Sequence, residues 1–144
     1  AKLDGLIAAL SPGQQAKIQV INDFSESEKP DLLAAADLLV HPSGNESFGI
    51  VFAEAWAAGK PVIGADVGAL ASLIDAGQDG LLFRYGDPVD MAAQVLTLLA
   101  NPAQRAALGS AGRQKVLANY TWEIVADRVR EIYVEPAEKF SANG

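Results

Sequence analysis

The sequence predicts an α/β fold in which helices wrap a parallel sheet. Short apolar runs of strand length recur along the chain at 16–21, 37–40, 61–64 and 80–83. Segments of helical period separate them, and helix-capping residues such as Asp87-Pro88 and Gly59 punctuate the boundaries. Strands that alternate with helices pair in parallel rather than as hairpins. Such sheets bind ligands outside the carboxyl ends of their strands.

Leu3, Leu6, Ile7 and Leu10 recur at helical spacing until Ser11-Pro-Gly13 stops them. Ala16-Lys-Ile-Gln-Val-Ile21 reads as a strand, and residues 28–36 as a short helix with Pro30 in its first turn. The strand 37–40 is followed by a loop from His41 to Asn45 and a helix to Ala58, closed by Gly59. Pro61–Gly64 is the next strand, 69–75 a short helix and Gly80–Phe83 a short strand. Asp87-Pro88 opens a helix to Ala100 as N-cap and N1, and Asn101-Pro102 repeats the device three residues before Gln104. The last helix begins at Thr121 with Trp122, Val125, Ala126, Val129, Ile132 and Tyr133 on one face, and a frayed tail follows Pro136.

At 144 residues and 50% apolar, the chain holds one core rather than two. A net charge of −7 argues against nucleic-acid binding, which depends on phosphate neutralisation by Lys and Arg. Any phosphate bound here is held largely by backbone amides and helix N-termini. The absence of cysteine excludes a disulfide framework and thiolate metal sites and fits a cytoplasmic setting. No apolar run has the length of a membrane span, and the N-terminus has no signal-peptide layout. The chain lacks an initiator Met, as a fragment would.

The chemistry concentrates in 41–64. The loop Pro42-Ser-Gly-Asn-Glu46-Ser47-Phe48-Gly49 delivers the chain to a helix N-terminus at a strand's carboxyl end. Free amides of Phe48, Gly49, Ile50 and Val51 would face the crevice, and Gly49 lets a ligand approach the backbone. Glu54, one to two turns inside an apolar helix, leans back toward that N-terminus and offers two oxygens to adjacent hydroxyls such as a ribose diol. Glu46 stands before the helix, up to about 12 Å away. Hydroxyls, phosphates, hydroxyls is the order of groups in a nucleoside diphosphate sugar. In the plainer reading, Glu46 favours the helix N-terminus electrostatically and Glu54 faces water.

Pro42-Ser-x-x-Glu46-Ser-Phe-Gly-Ile-Val-x-x-Glu54-Ala-x-Ala-x-Gly-Lys-Pro-Val-Ile resembles the E-x7-E signature of family-4 retaining glycosyltransferases of the GT-B fold. The likeness continues through Gly77-x-x-Gly80-Leu-Leu-Phe83, Gly86-Asp87 and Tyr120-Thr-Trp122, and covers most of 17–134. It implies a Rossmann-like doubly wound parallel sheet, N-terminally truncated, over 1–135 with C-terminal helices, and a disordered tail over 136–144. It assigns Glu54 to the ribose hydroxyls, Glu46 to the donor sugar near its reacting carbon, and the segment 47–51 to sugar and diphosphate. The implied reaction transfers a hexosyl group from a nucleotide sugar to an acceptor hydroxyl with retained configuration. Glu46 acts there by electrostatics and positioning rather than as a nucleophile. No metal and no cofactor beyond the nucleotide-sugar substrate is implied. The acceptor is a glycan, a lipid or a small molecule, handled by an absent N-terminal domain through which the protein could sit at a membrane surface.

The sequence departs from the family in two places. The opening strand and its Arg- and Lys-bearing loop have no counterpart before Ala16, and the helix at Leu3–Leu10 corresponds to an element after that strand. The chain therefore looks like most of a donor-binding half, inert alone and with weakened nucleotide affinity. Where relatives show Gly-Gly-x-Pro-Glu, this chain reads Gly68-Ala-Leu-Ala-Ser72, so Ala71 and Ser72 replace the proline and the acid.

Other residues have ordinary explanations. His41, the only histidine, packs or caps its loop; Lys60 suits a helix C-terminus; Trp56 and Trp122 are core or interface anchors. Asn22-Asp-Phe24 is a candidate flank for the base, and Arg84, Arg105, Arg113, Arg128 and Arg130 read as surface charges. Three rivals stand beside the leading reading: a stand-alone sugar-nucleotide-binding or interaction module without chemistry, a GT-B epimerase, and a scaffold whose glutamates are fortuitous.

Overall fold

The structure is a computed structural model that describes residues 2–46 and 48–141, with side chains described to Tyr133. Its sheet consists of β1 (Leu39–His41), β2 (Val62–Ala65) and β3 (Gly80–Phe83), in that order and all parallel. The register sets His41 beside Gly64 and Ala65 beside Phe83. β2 lies between two neighbours and is buried throughout, as its Val-Ile-Gly-Ala sequence requires.

Side chains alternate across a strand, and this sheet uses both faces. Val62 points into one cluster with Phe52, Ala55, Trp56, Leu70, Ile74 and Val116. Ile63 and Ala65 point into the other, with Phe83, Leu98 and Leu108. The first layer is supplied by α4 (Ile50–Ala57), α5 (Gly68–Leu73) and part of α7 (Pro102–Asn119), the second by α6 (Pro88–Ala100) and α7. Full burial of Phe52 or Trp56 stabilises the fold by about 1.5–3 kcal/mol each.

α4 and α7 meet through Gly109 and Gly112. A Cβ on Gly109 would overlap the Gly59 carbonyl, and one on Gly112 would overlap the Trp56 ring. The small residues let the helix pass over α4 at backbone distance. Trp56 Nε1 also donates to Asp79 O at 2.8 Å. The Lys115 ammonium lies 5.1 Å from the centre of the Trp56 ring while pairing with Asp75 (2.7 Å) and Asp79 (2.6 Å). This cluster ties α7 to the turn before β3.

β3 and α6 fall where the sequence puts them, and Asp87 caps α6 by accepting from the amides of Val89 and Asp90. Asn101 caps α7 through the Gln104 amide at 3.0 Å. Ser11-Pro-Gly13 ends α1 (Lys2–Ala8) but also opens the single turn α2 (Pro12–Gln15), where the Gln14 side chain accepts from the Ser11 amide at 3.1 Å.

Three expectations need correction. Residues 16–21 form no strand, and Ile18, Val20 and Ile21 are exposed. An alternating pattern makes a strand only when a ladder partner satisfies its backbone, and among the described residues this segment has none. Arg105 is no loose surface charge: it donates to the Leu98 and Leu99 carbonyls at 2.7 Å and closes the α6 C-terminus. α8 (Trp122–Ser141) continues through Pro136, beyond the expected start of a tail; a proline forfeits one backbone hydrogen bond, and the helix accommodates that loss. Residues 142–144 lie outside the described part. Among the described residues, no helix is long and apolar enough to cross a membrane.

Candidate functional site

The site lies at the carboxyl end of β1, in the loop that leads to α4. This loop is fixed at three points. Gly44 lies under the Tyr85 ring, where a Cβ would overlap it. His41 Nε2 and Glu46 Oε1 are 2.8 Å apart. Gly49, the N-cap of α4, sits at φ 70°, a left-handed conformation that glycine adopts without strain, with Leu73 and Phe52 close beneath it.

Glycine at the N-cap leaves α4 without a side-chain cap. The Phe52 amide bonds back to Gly49 O at 2.9 Å, so the amides of Ile50 and Val51 are the first-turn donors turned outward. Phe48 stands one residue before the cap, and its amide is not part of the helix's first turn. Its exposed ring instead packs edge-on against Tyr120, 6.1 Å between centres. Ser47 lies outside the described residues.

Glu46 and Glu54 open on one cavity of about 500 Å³, together with Phe48, Gly49, Ile50 and Val51. Glu54 is the fifth residue of α4 and half-buried. It meets Lys29 of α3 (Lys29–Ala35), whose Nζ is 2.9 Å from Glu54 Oε1 and 3.0 Å from Glu26 Oε2. The Glu54 hydrogen bond, then that of Glu26, raises the Lys29 pKa above the usual lysine value. Two further cavities of about 450 Å³ meet at Glu54: one along α3 past Pro30 and Leu33, the other an apolar groove formed with Val116, Tyr120, Trp122 and Val125.

Of the expected residues, Glu46, Phe48, Gly49, Ile50, Val51 and Glu54 line this cavity, and Glu54 is not turned away from it as the scaffold reading would need. Lys29 is the residue that sequence reading missed. It lies 25 positions from Glu54, and its only local signal is a cation beside Pro30 at a helix start. Phe24 and Lys60 do not line this cavity, Trp56 is core, and Trp122 is 85% exposed. Among the described residues, no group of three or more His, Cys, Asp or Glu is placed to hold a metal.

The described part is thus a parallel sheet with helices on both faces and, at the end of β1, a helix N-terminus without a side-chain cap, flanked by two carboxylates. The family model of glycosyl transferases group 1 matches residues 6–115, and the chain belongs to that family. Its fold is the Rossmann-like arrangement of GT-B glycosyltransferases. It is 42% identical over 114 residues to the D-inositol 3-phosphate glycosyltransferase of Thermobispora bispora, covering 79% of this chain and 26% of that protein. The sucrose-phosphate synthase structure from Thermosynechococcus elongatus superposes with a TM-score of 0.85 at 30% identity, over 98% of this chain and 34% of that one. Anabaena HepE in complex with UDP-glucose gives 0.78 at 27% identity, over 98% and 36%. The chain spans about a quarter to a third of the length of these proteins.

Proposed function

We propose that this chain is the donor-binding part of a retaining glycosyltransferase that moves a hexosyl group from a nucleoside diphosphate sugar to an acceptor hydroxyl. The observation that carries the reading is the common cavity of Glu46 and Glu54 on either side of the uncapped α4 N-terminus. In this reading Glu54 accepts from the two ribose hydroxyls. The amides of Gly49, Ile50 and Val51 and the positive end of α4 hold the diphosphate. Glu46 holds hydroxyls of the sugar being moved. HepE, solved with UDP-glucose, and the named transferase activity of the Thermobispora relative support this choice of ligand.

Chemically, the bond from the sugar's anomeric carbon to the diphosphate oxygen breaks as a bond from the acceptor oxygen forms on the same face. The acceptor's proton passes to the leaving diphosphate. Glu46 steadies the charge that develops on the sugar and fixes its pose. This scheme requires no metal. The acceptor and the remaining phosphate contacts belong to parts of the protein outside this chain, and the chain alone is inactive. In the intact enzyme, Glu54→Ala should raise the donor KM about 10- to 100-fold, the loss expected for hydrogen bonds to a charged group. An unchanged KM would sink the ribose assignment.

A further inference from the structure

β1 ends on His41, the only histidine in the chain. Its ring is seated edge-on against Phe52, with centres 5.5 Å apart, and Phe52 is fully buried in the core. The opposite constraint is Nε2 at 2.8 Å from Glu46 Oε1, the one side-chain hydrogen bond of Glu46 among the described residues.

We infer that His41 is a positioning residue for Glu46, holding its carboxylate toward the cavity in which the transferred sugar would sit. The inference rests on the donor-site reading above. Glu46 belongs to a loop, and a loop carboxylate serves a reacting sugar only if its rotamer is locked by a neighbour on a rigid element. The imidazole supplies that lock: it satisfies one carboxylate oxygen and leaves the other to accept from hydroxyls. The other charged groups facing the cavity, Lys29 on α3 and Glu54 on α4, pair with each other. His41 is therefore the partner that Glu46 keeps for itself.

The chain and two variants test this. His41→Leu keeps an apolar contact with Phe52 and removes the donor, while His41→Gln restores an N–H at similar reach. Hydrogen–deuterium exchange over residues 42–49 should accelerate in the Leu variant and stay near wild type in the Gln variant. By calorimetry, the Leu variant should bind UDP-glucose about tenfold more weakly while its UDP affinity changes less than about twofold. Unchanged loop exchange in His41→Leu, or equal losses for UDP and UDP-glucose, overturns the positioning role. If the Leu variant shows the exchange difference while the intact enzyme binds neither nucleotide, the His41–Glu46 lock is supported and the donor-site reading is overturned.

Discussion

Lys29 Nζ lies 2.9 Å from Glu54 Oε1 and joins α3 to α4 across the floor of the site. A carboxylate has about four lone-pair positions, and the ammonium takes one. The pair therefore orients Glu54 without closing it to a diol. The raised Lys29 pKa means that this interaction is complete below the ordinary lysine range and is lost only as pH rises through the folded value. It is intact throughout neutral pH. Lys29→Met should weaken nucleotide binding about three- to tenfold at pH 7, measured by calorimetry. Unchanged binding would show that Lys29 does not orient Glu54 for the ligand, and tighter binding that it competes with the ligand.

The Lys115 cluster governs stability rather than binding. Burial pushes the Asp79 pKa up, against the pull of Lys115, while the Lys115 hydrogen bond holds Asp75 down. Burial opposes the Lys115 charge, yet the two carboxylates outweigh it and raise its pKa. Asp75 thus contributes stability above the ordinary aspartate range and loses it as pH falls through its folded pKa; Lys115 contributes below the lysine range. The buried Asp79 charge works the other way, since protonation is easier in the folded state. Lys115→Met should cost roughly 2–3 kcal/mol at pH 7, less than a fully buried pair because Lys115 retains some exposure. In urea titrations the gap from wild type should narrow as pH falls below the ordinary aspartate range and the carboxylates take up protons, Asp79 before Asp75.

Gly109→Ala and Gly112→Ala test the α4–α7 contact. Alanine gains up to about 1 kcal/mol of helix propensity over glycine. The overlaps with the Gly59 carbonyl and the Trp56 ring cost about 1–3 kcal/mol or more and dominate. Both variants should melt several degrees below wild type in a calorimetric scan. Gly5→Ala, where an added Cβ meets nothing, should melt at or above it.

Much of this architecture was legible because its signals are local. Asp87-Pro88 and Asn101-Pro102 place two helix starts, and Gly59, at φ 71°, ends a third. The glutamate spacing likewise marked a cavity that the fold assembles. Segment 16–21 was misread because a strand depends on a partner that its own residues do not encode. Lys29 and Arg105 escaped notice because their partners are remote in sequence, and a cation's role follows from where the fold brings it. His41 was seen as a loop cap; the missing element was its bond to Glu46.

The reading assigns the diphosphate to backbone amides and a helix end. Nucleotide-sugar binding should therefore be the same, within about twofold, before and after treatment with a chelator. Calorimetry with and without EDTA, and with added Mg²⁺, checks this. Binding that requires the metal would place the diphosphate on carboxylates instead.

A crystal structure of the chain with UDP-glucose tests the donor site most directly. The ribose hydroxyls should lie on Glu54, the diphosphate against the amides at Gly49–Val51, and the hexose within reach of Glu46. A nucleotide seated elsewhere, such as beside Tyr85 and Gly86, with Glu54 still held only by Lys29, would contradict this placement.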